Sequence, residues 1–229
     1  MTVIKFMPYA VVALLANTNN SSWISIYDIC CSVHSSIIHI SCYNVCYTFN
    51  NIALNGLNPI TYIKMLQSHY FLAFTSRSSL GTLPVTIEAL TDKQGVEEGV
   101  ASFTASLGAN MGMNGCAGIY PALMAVTIAN MAGVEMNASF YAMLLVVITI
   151  SSLGIAGLPG TATMAVSVVL SGVGIGSYFP LAGGILAIDP ILVYGTVQCL
   201  NVNGSTTTAV IVGKSLKKLD KEVFNGASV

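Results

Sequence analysis

Charge is what this chain has least of: 7% of its 229 residues are Asp, Glu, Lys or Arg, against about a quarter in an ordinary soluble domain. The scarcity is concentrated. Between Gly99 and Gly213 there is no Lys, Arg or His, and Glu135 and Asp189 are the only acids. No water-facing surface can be covered from that inventory. The stretch is also far longer than the roughly 20 apolar residues one spanning helix needs. The pattern predicts an integral membrane protein. With a net charge of −1 and no basic patch, the chain lacks what phosphate-backbone binding requires, and no nucleic-acid partner is expected. General acid–base catalysis is left almost without candidates, and Gly-x-Ser-x-Gly, P-loop and His-Glu-x-x-His patterns are missing. No enzyme is expected.

What the chain has instead is apolar bulk and glycine: 54% hydrophobic residues, a mean hydropathy of +0.76, and 17 of its 21 glycines between Gly99 and Gly213. Small residues let membrane helices pack closely, which accounts for scattered spacings such as Gly108, Gly112 and Gly115. It does not account for "GIAGLPG" (154–160), where three glycines and a proline fall within seven residues. The apolar runs beside it, Phe140 to Ile155 and Thr161 to Gly176, are each about 24 Å long as helix, short of a hydrocarbon core of about 30 Å. Two short arms joined by a Gly-Pro tip predict a re-entrant hairpin. "SRSSLGTLP" predicts a second one, with arms near Tyr62–Thr75 and Leu83–Leu90. Irregular backbone at membrane depth is tolerated where it is buried in protein or lines a cavity, so two hairpins predict a transport site.

Met1 to Ala16 reads as a short spanning helix rather than a cleaved leader. Lys214, Lys217, Lys218 and Lys221 beside the last apolar run place that end in the cytoplasm by the positive-inside rule. Asn17 to Asn50 is polar and cysteine-rich. Its Cys30, Cys31, His34, His39, Cys42 and Cys46 are metal-type ligands, but the spacing matches no usual zinc pattern, so the cluster is read as fortuitous and no metal is expected. Arg77, the only arginine, stands at a hairpin tip beside Ser78 and Ser79. It is either an interfacial anchor or a functional charge. In "SLGANMGMNGCAG" (106–118) a helix should unwind around Gly112 and Gly115, freeing carbonyls beside Asn110 and Asn114. Asn201, Asn203 and Ser205 form a similar polar face in the last span.

Four motifs in order, "AFTSRSSLGTLPVT" (73–86), "LGANMGMNGCAG" (107–118), "SLGIAGLPGTAT" (152–163) and "IDPIL…LNVNGS" (188–205), resemble the dicarboxylate/amino acid:cation symporter (sodium:dicarboxylate symporter) family. "NGCAGIYPA" and "LNVNGS" look most like its bacterial L-cystine branch. The resemblance implies an all-α integral membrane protein, the transport-domain half of a glutamate-transporter-like fold with two re-entrant helical hairpins. It assigns 1–16 to a scaffold-type helix, 17–54 to a divergent segment at the sixth-helix position, and 55–213 to the transport domain. Within that domain the first hairpin covers about 61–90, the broken helix about 100–131, the second hairpin about 138–178 and the last helix about 181–213. Residues 214–229 form a cytoplasmic tail. Four preceding helices, and most of the scaffold through which the family forms homotrimers, have no counterpart in the chain.

The implied activity is cation-coupled amino-acid symport across the inner (plasma) membrane by alternating access, with L-cystine as the substrate, sodium or a proton as the coupling cation, and no cofactor. The implied substrate residues are Ser78, Ser79, Met113, Cys116, Leu158, Gly160, Ala162 and Asn201. The implied cation residues are Gly108, Asn110, Gly112, Asn114, Asn201 and Ser205, and the gate is at Gly157 and Pro159. Departures from the family pattern support an alternative, a non-transporting remnant. Asn114 and Ser205 stand where family members carry acids, and Val193–Cys199 replaces a segment carrying a substrate-binding Asp and Arg. A hypothesis of a disturbed reading frame accounts for the last change: CGT ACA ATG CTT, read one base late, gives the Val-Gln-Cys-Leu of residues 197–200. Residues 21–49, rich in Ser, Tyr and Cys, and "MLQSHYFL" (65–72) fit the same idea. A gene with no apolar alternative frame at these places would exclude it.

Overall fold

The computed structural model describes residues 20–186 and 194–226, which are almost entirely helical. The expected helix at Met1–Ala16 and the "IDPIL" motif with Asp189 lie outside the described residues. So do the side chains of Cys30, Cys31 and His34.

The first helix, α1, runs Asn20–Leu54, so from Asn20 on the polar, cysteine-rich stretch is one continuous helix despite its composition. A turn through Gly56, at φ 63°, leads to α2 (Pro59–Ser76). Asn58 caps α2 by accepting from the N–H groups of Ile60 and Thr61 at 3.0 and 3.4 Å. Pro59 sits in the first turn, where a missing N–H costs nothing. The antiparallel α3 (Ser79–Glu88) and a π turn (Ala89–Lys93) complete the first helical hairpin. Next come α4 (Glu98–Met111), a π turn (Asn114–Ile119) and α5 (Tyr120–Met131). Among the described residues, Glu98–Met131 is the one helical stretch long and apolar enough to cross a membrane by length and composition.

The second hairpin pairs α6 (Ala138–Ser152) with α7 (Thr161–Gly172). Asn137 starts α6 by accepting from Phe140 N–H at 2.9 Å. A 3₁₀ segment (Gly176–Ala182) follows. Then α8 (Tyr194–Ser215) passes through the middle of the assembly, packing on α1, α2, α4 and the Asn114–Ile119 turn.

The core has two parts. One joins Ile52, Tyr62, Leu66, Leu90, Ala101, Ala209 and Val210. The other joins Met113, Cys116, Tyr120, Met124, Ile128, Ala162 and Val166. Outside them the surface is unusually apolar: Phe103, Leu145, Ile150 and Met164 are 71, 69, 68 and 66% exposed. These side chains face outward from helices that bury other residues in the core, an arrangement suited to an apolar surrounding rather than to water.

Tyr62 ties the first hairpin to α8. Its hydroxyl lies 2.8 Å from Thr207 Oγ1 and donates to Thr206 Oγ1 at 3.2 Å. Both threonines can also bond within α8, and Thr206 already donates to Val202 O at 2.7 Å. Tyr62→Phe should therefore cost only about 1 kcal/mol in stability, read as a small shift of the melting curve in detergent. A loss several times larger would show that the threonines depend on the tyrosine.

The tail folds back onto the base of the first hairpin. Glu97 N–H donates to Lys218 O at 3.0 Å and Asp220 N–H to Gly95 O at 2.8 Å. A short helix, α9 (Lys221–Phe224), then buries Phe224 completely in the core shared by Tyr62 and Leu90.

Candidate functional site

Four pieces of chain converge between the two hairpins. At the first tip α2 ends on Arg77, which adopts the left-handed conformation (φ 54°, ψ 33°) and donates its N–H to Ala73 O. That turn swings Ser78 into an extended conformation (φ −146°) at the start of α3. The Ser78 hydroxyl then works twice. It accepts from Gly81 N–H at 2.9 Å and donates to Gly157 O at 2.8 Å.

At the second tip the backbone of Gly157 is held from both sides. Its N–H donates to Ala109 O at 2.9 Å, and its carbonyl also accepts from Leu80 N–H at 3.2 Å. A side chain there would meet Ala109 O and Ser79 Cβ at 2.7 Å, so only glycine lets the tips come this close.

The third piece is the break. α4 stops at Met111, and Met113 (φ −84°, ψ 52°) leaves helical geometry with its side chain buried. The helix restarted by the π turn has first N–H groups without intrahelical partners. Asn201 of α8 supplies one: its Oδ1 accepts from Gly115 N–H at 2.7 Å and Cys116 N–H at 3.4 Å. The Asn201 amide donates to Cys116 Sγ at 3.0 Å and to Gln198 Oε1 at 3.3 Å. Gln198 in turn donates to Ser79 Oγ. Ser79, Cys116, Gln198 and Asn201 are all buried, and none carries a formal charge-bearing ammonium, guanidinium or carboxylate.

All but one of the expected residues fall into three places. Ser78, Ser79, Met113, Cys116, Gly157 and Asn201 meet at the central cluster, and Ala162 belongs to the same apolar core as Met113 and Cys116. Leu158, Pro159 and Gly160 are exposed on the second tip. Gly108, Gly112, Asn114 and Ser205 line a separate groove of about 370 Å³ together with Thr104, Gly204 and Thr208. Asn110 joins neither: it is exposed and donates to Ser106 O in its own helix at 2.9 Å. Asn203 points elsewhere, donating to Asn44 Oδ1 and Thr48 Oγ1 of α1 at 2.6 and 2.7 Å. In the former metal-type cluster, a His39 ring nitrogen lies 2.7 Å from Ser35 O, and Cys42 and Cys46 are exposed.

Gln198 is the site residue that sequence reading passed over. The available signal was its spacing: three residues before Asn201 puts both on one helix face.

Hard cations are held by oxygen donors, with carboxylates supplying most of the attraction. The groove offers hydroxyl, amide and carbonyl oxygens only, and Ser205 Oγ donates to Asn201 O at 3.0 Å and Val202 O at 3.2 Å. Such a lining fits a cation weakly.

Tips meeting over a broken helix and a polar last helix are the geometry the four motifs anticipate, and the comparison with known sequences decides the family. Residues 1–215 match the sodium:dicarboxylate symporter family profile. The chain belongs to the sodium:dicarboxylate symporter family. It is similar to the L-cystine uptake protein TcyP of Bacillus thuringiensis (strain Al Hakam), 39% identical over 225 residues, covering 97% of the chain and 48% of the relative. The TcyP of Shouchella clausii (strain KSM-K16) is 45% identical over 177 residues, covering 76% of the chain and 37% of the relative. The Bacillus licheniformis TcyP is 41% identical over 174 residues, with the same two coverages of 76% and 37%. The chain thus spans about half or less of the length of these relatives. Proteins of the sodium:dicarboxylate symporter family are membrane transport proteins and not enzymes. Membership also explains the apolar exterior, because lipid rather than water is the solvent of such faces.

Proposed function

We propose that the chain is the substrate-binding half of a cation-coupled amino-acid symporter, with L-cystine as its substrate, working by alternating access. The observation that carries this reading is the convergence of both hairpin tips, the helix break and Asn201 on one buried cluster. On this reading the hairpins are re-entrant, and the second tip, Gly157 to Gly160, is the moving gate. The N-terminal turn of α3 at Ser78 and Ser79 receives a substrate carboxylate, as helix N-termini do. The groove at Gly108, Gly112, Asn114 and Ser205 takes the coupling cation. The chain is multi-pass in the plasma membrane with its lysine-rich end in the cytoplasm.

A second reading, a non-transporting remnant of such a symporter, is favoured by one observation. L-cystine carries two ammonium groups, and among the described residues no acidic side chain belongs to the central cluster. Burying an unpaired ammonium is costly.

Uptake of labelled L-cystine into proteoliposomes under an imposed sodium or proton gradient separates the two. Gradient-dependent uptake by this chain alone excludes the remnant. Uptake no faster than empty liposomes, beside an active full-length relative, excludes independent transport.

A further inference from the structure

We propose that Gln198 is an internal ligand that holds the central cluster shut, its carboxamide filling the hydrogen-bonding positions a bound solute would otherwise take. Three elements depend on this one group. Its Nε2 donates to Ser79 Oγ at the first hairpin tip. Its Oε1 lies 3.3 Å from Asn201 Nδ2 on α8 and accepts from Cys116 Sγ on the restarted helix at 3.4 Å.

Gln198 is 1% exposed, so each of these bonds is made away from water, where leaving a polar group unpaired is expensive. The second tip rests directly on the residue that Gln198 pins. Gly157 packs against Ser79 so closely that a Cβ would lie 2.7 Å from Ser79 Cβ, and its carbonyl accepts from the neighbouring Ser78. The closed tips are therefore satisfied from within the chain. A solute can enter only by exchanging its own hydrogen bonds for those of the Gln198 amide. The inference concerns closure and holds whether or not the chain transports, so its test does not use uptake.

The test reads exposure of the Cys116 thiol, which lies on the floor of the cluster and is 0% exposed. The chain is reconstituted in liposomes with Cys30, Cys31, Cys42, Cys46 and Cys199 replaced by Ser, and Cys116 is reacted with N-ethylmaleimide. Gln198→Ala should raise the labelling rate about tenfold or more, because two or three bonds of the closed state are lost at once. Propionamide, which restores a primary amide, should slow the variant again and leave the parent unchanged. N,N-Dimethylpropionamide, which has no N–H, should not slow it.

Ser79→Ala, which removes one partner of Gln198 and leaves α8 untouched, should speed labelling in the same direction. It serves as the readout if Gln198→Ala does not fold. Unchanged labelling in the variant that folds overturns the proposal. So does equal protection by both amides, since filling volume would then be enough to close the site.

Discussion

Gly115→Val should lower the melting temperature of the detergent-solubilised chain by roughly 6–12 °C, the equivalent of on the order of 3 kcal/mol in a chain of this size. The reason is where the new side chain would go. A Cβ on Gly115 would run into the carbonyl oxygen of Val197, and would lie 2.9 Å from Val197 Cγ1 and 3.0 Å from Asn201 Oδ1. The first of these is backbone of α8 and has no rotamer to change. The helices would have to separate, and the 2.7 Å bond from Gly115 N–H to Asn201 would go with them. Gly118 provides the control, since it lies in the same π turn and a Cβ there meets nothing within 4 Å. Gly118→Ala should melt like the parent. If both variants melt alike, close approach at Gly115 is not what holds the break against α8.

Asn201→Ala should be nearly as damaging, costing about 2–3 kcal/mol because buried donors are left without partners. One side chain serves four groups: Gly115 N–H, Cys116 N–H, Cys116 Sγ and Gln198 Oε1. Alanine supplies none of these, and the site is too enclosed for the loss to be made up freely by solvent, as Asn201 is 1% exposed. Should the chain transport, uptake should fall in step. Asn110→Ala is the matching control. Its amide reaches only a carbonyl of its own helix and is exposed, so it should lie within about 0.5 kcal/mol of the parent. A smaller loss for Asn201→Ala than for Asn110→Ala would remove Asn201 from the centre of the site.

The outline was legible wherever backbone chemistry left a mark in the residues. Clustered glycine and proline located the second tip, "SRSSLGTLP" bracketed the first although its Gly81 and Pro84 lie inside α3, Asn-Pro placed the start of α2, and "GANMGMNGCAG" located the helix break to within a few residues. Ser78, Ser79 and Asn201 were singled out by the family resemblance, and they do lie together, the first two at the start of α3 and Asn201 within α8. What could not be read was pairing between distant segments. Asn203 and Asn201 look equivalent in sequence, yet two residues turn a helix by roughly 200°, sending one to α1 and the other to the break.

Gln198 stayed hidden for a related reason. Its meaning comes from Ser79, on a different element, and nothing local marks a glutamine as saturated. The polar α1 also went against its composition. Its apolar positions are spread around the helix rather than gathered into one strong stripe, and it packs on α2 and α8.

The central position of α8 has a consequence for how the chain comes into being. The partners that satisfy the first hairpin are made last: Ser79 waits for a residue 119 positions later, and Tyr62 for one 145 positions later. At about 5–20 residues per second, synthesis leaves the tip of the first hairpin without its α8 contacts for on the order of ten seconds. During that interval its serines and tyrosine must rest against water, the insertion machinery or each other. A ribosome that stalls before residue 194 would therefore release a chain whose apolar outside is finished and whose polar inside has not been made.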